Sequence, residues 1–209
     1  MPGTDGRTAR WAGHREQRRE AFVDAAVVVI ERVGPAATVD QIGAELGVTR
    51  QGVYRQFADR RDLDHAIAER AAQMLFAELL PYFDGGSALL GDVEGAISRL
   101  THVYLDFVER HLPLYRFVRA HELELSADSA VRTVKDTVAG RVAALARDVV
   151  ATLDLPEGLA ETFAIGMVGM ADAVISRWLE EPRGLSREEL VDQLTRILGG
   201  AVRSTTGGI

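Results

Sequence analysis

The stretch Thr38–Phe57 reads TVDQIGAELGVTRQGVYRQF, and it holds two helix starts and one helix end in a span with room only for a pair of short helices. Thr38 and Gln41 have the form of a capping box, in which each side chain satisfies a backbone N–H at a helix start. Ile42 and Leu46 are four apart and share one face of that first helix. Gly47 stands where the helix has to end, and glycine tolerates the left-handed conformation of a sharp exit. Thr49 caps the second helix, with Val53 and Phe57 on its inner face. Gly43 falls where the two helices cross. A small residue there permits close approach, although glycine inside a helix costs about 1 kcal/mol relative to alanine.

A helix, a glycine turn and a second helix make the helix-turn-helix form, whose second helix enters the DNA major groove. Arginine and glutamine form paired hydrogen bonds with base edges, so Arg50, Gln51 and Arg55 are expected to face bases, with Gly52 allowing close backbone approach. Thr38, Gln41, Thr49, Tyr54, Arg60 and Arg61 are expected to position the phosphate backbone. A structural hairpin with a solvated basic face accounts for the same residues.

The flanks have helical spacing as well. Phe22, Ala25, Ala26, Val29, Ile30 and Val33 predict a helix from about Arg15 to Val33, ended by Gly34-Pro35. Arg18 and Arg19, on its other face, approach phosphate or are simply solvated. Asp59 is the expected cap of a fourth helix over 59–81, through Leu63, Ile67, Met74, Leu75 and Leu79. Residues 1–14 have no apolar period and are expected to form a disordered basic arm, in which Arg7, Arg10 and Trp11, with Arg15 just beyond, touch DNA or remain a soluble tail.

Taken together, Arg18–Ala71 resembles the DNA-binding domain of TetR-family transcriptional regulators, in the first amphipathic helix, the run TVDQIGAELGVT, the tetrad Tyr54-Arg55-Gln56-Phe57 and the polar entry Asp59-Arg60-Arg61-Asp62-Leu63. Gln56 stands where that family often has His, and Arg60 where it often has Lys. The resemblance implies an all-α chain with a DNA-binding domain over 15–62 and a ligand-binding and dimerisation domain over 63–209. It implies that the fourth helix carries the ligand signal to the head, and that the last two long helices dimerise.

The 209 residues carry a formal net charge of −7, which at first argues against DNA. Residues 1–61, however, hold 10 Arg against 8 Asp and Glu, a net of +2, and the remainder 14 basic against 23 acidic residues, a net of −9. A basic head on an acidic body suits a protein that presents one end to phosphate. There is no cysteine, so disulfides and thiolate chemistry are excluded. The sequence reading finds no apolar run approaching the roughly 20 residues that span a bilayer. The first residues lack the apolar stretch of a signal peptide, and a cytoplasmic protein is expected.

Beyond Asp84–Ser87, a loop signal, helical patterns follow over Asp92–His111, Leu114–Leu125 after a break at Pro113, from Ser126 or Asp128 to Leu153, then past Asp154–Pro156 to Leu179. The last starts at the capping box of Ser186 and Glu189. A ligand cavity is expected chiefly from the resemblance, with Tyr104, Phe107, His111, Tyr115, Arg119, His121, Met167, Met170 and Trp178 as lining candidates, though ordinary packing explains each of them. Gly166, Gly169 and Ala173 form a small-residue ridge that lets another helix approach closely, from a second subunit in preference to the same chain, with Leu190, Leu194, Ile197 and Leu198 on the final helix. The five histidines have no metal spacing and no enzyme signature emerges, so neither cofactor nor metal is expected.

The expectation is a homodimeric regulator that binds an operator in double-stranded DNA and responds to a small-molecule effector, apolar or aromatic, with no membrane role. It is expected to repress; activation, or a helical scaffold with an unused head, is the alternative. A cofactor-free enzyme using His111 or Glu122 as base is the remote one.

Overall fold

The computed structural model describes residues 5–83, 92–125, 140 and 159–206. Among them lie eight helices and no strand: α1 Asp5–Val33, α2 Val39–Glu45, α3 Arg50–Val53, α4 Arg60–Phe83, α5 Val93–Arg110, α6 Leu112–Leu125, α7 Leu159–Glu180 and α8 Arg187–Thr206. The chain is all-α, as expected. The loop at Asp84–Ser87, the helix from Ser126 or Asp128 to Leu153, the separator Asp154–Pro156 and the side chain of Glu122 lie outside the described residues.

Some helix ends differ from the sequence reading, each for a local reason. Helix α1 begins at Asp5, inside the stretch expected to be disordered. Once nucleated on its apolar half, a helix propagates easily through residues such as Arg, Ala, Glu and Gln. Pro113, expected to break the chain, sits in the first turn of α6, where its missing N–H leaves no intrahelical bond unmade. Helix α4 continues past Pro81 to Phe83, and α8 runs to Thr206 where fraying from Ser204 was expected. The Ser186–Glu189 capping box is present: Ser186 N–H donates to Glu189 Oε2 at 2.8 Å and Glu189 N–H to Ser186 Oγ at 3.2 Å.

The chain divides into two units, one holding Met1–Gln73 with His111–Val131 and the other Met74–Arg110 with Arg132–Ile209. The core of the first is built from Ala26, Val29 and Ile30 of α1, Ile42 of α2, Val53 of α3, Phe57, Leu63 and Ile67 around the start of α4, and Leu114 and Phe117 of α6. Helix α6 packs on α1, and His111 Nδ1 lies 2.8 Å from Glu31 Oε1 at that contact.

In the second unit α8 packs chiefly on α5, and Leu105, Ile175, Leu190, Val191 and Leu194 form a buried cluster with Tyr104, Trp178, Leu179 and Leu185 against it. Helix α7 corrects one expectation. Glu161–Glu180 is a 20-residue segment long and apolar enough, by length and composition, to cross a membrane. Glu161, Asp172 and Arg177 interrupt the run of apolar letters without lowering its average enough to exclude it. Little of this segment is buried within the chain.

Candidate nucleic-acid interface

Helix α2 is set by its two ends. Thr38 has extended backbone angles, its Oγ1 accepts from Gln41 N–H at 3.3 Å, and its own N–H donates to Gln41 Oε1 at 2.8 Å. The expected capping box therefore exists, and it engages both side chains with each other. At the other end Gly47 N–H donates to Ala44 O at 3.1 Å and Val48 N–H to Gly43 O at 2.9 Å. This pair of bonds is a Schellman motif, with Gly47 in the left-handed conformation at φ +66°. A Cβ on Gly43 would lie 2.7 Å from Val48 O and 3.4 Å from Val53 Cγ2, so the turn leaving α2 folds back too closely for a side chain there, with Val53 of α3 in ordinary contact behind it.

The regular part of α3 is only Arg50–Val53, shorter than expected, though the bond from Phe57 N–H to Val53 O at 3.3 Å carries a helical turn onward. Thr49 Oγ1 accepts from Gly52 N–H at 3.4 Å. Val53 and Phe57 are buried, while Thr49, Arg50, Gln51 and Arg55 are exposed and Tyr54 is half-buried. Arg50 reaches Asp40 Oδ2 at 3.4 Å and lies 5.5 Å from the centre of the Tyr54 ring. A Cβ at Gly52 would meet Val48 Cβ at 3.0 Å, so glycine there has an internal reason besides room for DNA.

Arg19, Arg60 and their two carboxylates tie the other helices to this hairpin. Arg60 Nε donates to Asp64 at 2.7 and 2.9 Å and its Nη1 to Ala37 O at 3.3 Å. Arg19 binds Asp62 at 2.7 and 3.3 Å and Gln56 O at 2.9 Å, with its guanidinium 4.3 Å over the Phe57 ring. The hydrogen bond from Arg19, with the N–H of Ala58 behind it, holds the Asp62 carboxyl below its ordinary pKa despite some desolvation. Asp59 caps α4 as expected, accepting from Asp62 N–H at 2.8 Å. The sequence reading placed Arg19 on the outer face and did not single out Asp62 or Asp64. A signal was present, because Arg19, Phe22 and Ala26 lie at i, i+3 and i+7 and so share a face. Arg61 is exposed.

A cleft of about 340 Å³ opens beside α3, lined by Pro35, Ala36, Ala37, Thr38, Val39, Arg50, Tyr54, Arg60 and His121. It brings four residues expected at DNA together with one expected in the ligand cavity. His121 Nδ1 lies 2.8 Å from Phe117 O. A carbonyl only accepts, so this nitrogen carries the proton. Its Nε2 stands 4.0 Å from Asp64 Oδ2.

The other cavity candidates divide between the units. His111, Tyr115, Arg119 and His121 belong to the first; Tyr104, Phe107, Met167, Met170 and Trp178 belong to the second. Trp178 Nε1 donates to Leu185 O at 2.8 Å and Tyr104 OH to Asp172 Oδ1 at 3.1 Å, so both polar ends have internal partners, and Phe107 is buried.

The residues expected at a dimer interface also divide. Leu190 and Leu194 are 1% exposed and Leu198 4%. They face the chain's own core, because α5 covers that face of α8. Ile197 is 54% exposed, as are Ile165 at 53% and, to a lesser degree, Met170 and Val174. Gly166 and Gly169 border open space, and Ala173 is exposed.

Residues 22–67, from the apolar half of α1 into α4, match the family model of bacterial regulatory proteins, tetR family. Over 201 residues the chain is 31% identical to an uncharacterized HTH-type transcriptional regulator of Mycobacterium tuberculosis, covering 95% of this chain and 83% of the relative. The HTH-type transcriptional repressor LfrR of Mycolicibacterium smegmatis is 32% identical over 95 residues, 46% of this chain and 48% of LfrR. Two solved structures share the fold. A tetR-family transcriptional regulator from Streptomyces coelicolor has a TM-score of 0.64 at 22% identity, covering 91% of this chain and 82% of that one. LfrR from Mycobacterium smegmatis in complex with proflavine has a TM-score of 0.55 at 23% identity, covering 87% and 94%. The capped hairpin, the family match that spans it and a relative aligned over nearly the whole chain lead to one conclusion: this protein belongs to the TetR family of bacterial transcriptional regulators.

Proposed function

We propose that this chain is a cytoplasmic, ligand-responsive repressor that binds an inverted-repeat operator as a homodimer and is released by a small apolar or aromatic effector. The observation that carries the reading is the presentation of α3. Its caps and the buried Val53 and Phe57 hold it in place while Arg50, Gln51 and Arg55 stand exposed. These are the residue types that read base edges. Thr49, Tyr54 and Arg61 position the phosphate backbone. Thr38 and Gln41 support α2 through their capping box, and Arg60 acts mainly as an internal brace. The head is residues 15–62, in one compact unit with the start of α4 and with α6, and the rest of 63–209 is the body, α4 running from one to the other.

Dimerisation is supported by the exposed apolar face of α7, where Ile165, Met170 and Val174 flank Gly166, Gly169 and Ala173. A second copy covers this face better than a bilayer does, since a mid-membrane Asp172 or Arg177 carries a penalty of about 2.5–3.5 kcal/mol. Two-fold symmetry then sets two recognition helices about 34 Å apart, one turn of DNA. A small-molecule effector is supported by LfrR, a repressor seen in complex with proflavine.

The test is selection from a random duplex library at moderate salt, followed by sequencing of the bound DNA. An enriched inverted repeat is expected. A folded sample that enriches no sequence would overturn the reading. An effector found with that operator must lose affinity for operator-bound protein by the same factor that it weakens the operator.

A further inference from the structure

We infer that Arg19 is a positioning residue for DNA reading: from α1, it sets the angle at which α3 is presented without touching the nucleic acid. The inference rests on the reading that α3 faces bases. Helix α3 has four regular residues, too few to hold an orientation by itself. Before its start the close approach of Gly43 to Val48 O fixes where the chain leaves the turn. Beyond its end, Arg19 supplies the long-range polar grip. Its Nη1 donates to Gln56 O at 2.9 Å and to Asp62 Oδ2 at 3.3 Å, and its Nη2 to Asp62 Oδ1 at 2.7 Å. Asp62 Oδ2 in turn accepts from Ala58 N–H at 2.8 Å. One guanidinium thus holds both the backbone leaving α3 and the first turn of α4.

The apolar anchors cannot do the same work. Val53 and Phe57 set the depth of α3, but apolar burial has no direction, whereas the planar fork of arginine admits one geometry. The guanidinium also lies 4.3 Å over the Phe57 ring, so a rotation of α3 disturbs contacts on both faces of the fork. Base reading tolerates displacements of only about 0.5 Å. With both terminal nitrogens engaged inside the chain, Arg19 is not placed as a phosphate contact. Lysine does not replace it, because a single ammonium has no fixed fork.

The experiment compares Arg19→Met, which keeps the stem against Phe57, with Arg19→Lys and Asp62→Asn. Each is measured for affinity to a library-selected duplex and a scrambled one, for the salt slope, and for amide hydrogen exchange. The expected result is a loss of about tenfold or more in preference for the selected duplex, with scrambled-duplex affinity and salt slope unchanged. Exchange at the Ala58 amide should quicken while Val29 and Ile30 in α1 stay protected. A slope reduced by about one unit would make Arg19 a phosphate contact. Unchanged preference with lowered thermal stability would make it a brace of the fold alone, and full preference in Arg19→Lys would remove the role of the fork. If Arg19→Met does not fold, Arg19→Lys and Asp62→Asn decide by the same measures. If the wild type selects no duplex, the DNA reading itself fails, and unchanged exchange at Ala58 in a folded variant then overturns the positioning role independently.

Discussion

Arg60 closes on Asp64 with its Nε between the two carboxylate oxygens, at 2.7 and 2.9 Å. Asp64 is almost wholly buried, and the same guanidinium reaches back to Ala37 O ahead of α2. Arg60 therefore braces α4 against the turn that presents Thr38. Replacing it by Ala leaves a buried carboxylate without its arginine, and Arg60→Ala should lower unfolding stability by about 1–3 kcal/mol in urea titration. The salt slope of DNA binding should stay the same. A slope lower by about one unit with unchanged stability would return Arg60 to the phosphate contacts.

Asp62 gives the head an acid-sensitive fastening. Arg19 lowers its pKa in the folded state, so the carboxylate binds protons less readily folded than unfolded. Its contribution to stability is present above the unfolded value, about 3.9, and is lost as pH falls through the lower folded value. Asp62→Asn should flatten that part of the stability profile below about pH 4. Chemical denaturation across this range is the measurement, and an unchanged slope would show that the Arg19 bond does not distinguish the two protonation states.

Two glycines in helices should respond oppositely to alanine. At Gly43 the new Cβ meets Val48 O at 2.7 Å, a backbone atom that cannot swing aside. Gly43→Ala should destabilise by about 1–3 kcal/mol even though alanine is the better helix former. At Gly166 nothing lies within 4 Å, and Gly166→Ala should stabilise the isolated chain by up to about 1 kcal/mol. Thermal melts of the two variants at low protein concentration test the pair.

The exposed apolar residues of α7 and α8 make a separate prediction. Val174→Arg or Ile197→Arg should yield monomer in sedimentation equilibrium while helical content remains, since neither side chain supports the internal core. Leu194→Ala should instead lower stability by about 2–5 kcal/mol, because Leu194 is buried within the chain. A Val174→Arg protein that remains a dimer would place the interface elsewhere.

On α3, Arg50→Ala should weaken binding to the selected operator by about 1–3 kcal/mol and relax preference at one base position. Its exposed pairing with Asp40 contributes little to folding, so melting should barely move. An equal loss on every duplex would assign Arg50 to the backbone.

Much of the head is legible in the sequence. The Thr38–Gln41 box, the exit at Gly47, the Thr49 cap and the Asp59 cap were all placed correctly, since each involves backbone groups within a few residues of the side chain concerned. Helix lengths were less legible. Pro113 reads as a break and Pro81 as a helix end because a proline is harmful inside a helix, yet the first turn tolerates it and α4 carries it within two residues of its end. The candidate site was legible in its outline and not in its assignments. Exposed arginines look alike in sequence; the i, i+4 spacing of Arg60 and Asp64 was a signal that the reading did not use, while nothing near Arg60 announces that Ala37 O will also occupy it.

The letters alone therefore dictate what is local and periodic: an all-helical chain, a capped hairpin at Thr38–Phe57, a basic head and an acidic body. These follow from interactions between residues a turn apart, which any chain with those letters must meet. What only the tertiary structure decided is which member of each class turns inward. Arg19 finds Asp62 across 43 positions, and Leu194 is buried while Ile197, three residues on and equally apolar, is left exposed. The pattern of letters gives a helix its apolar side but not the neighbour that will cover it, and it is the placement of α5 and α4 that divides structural residues from those left to meet a partner.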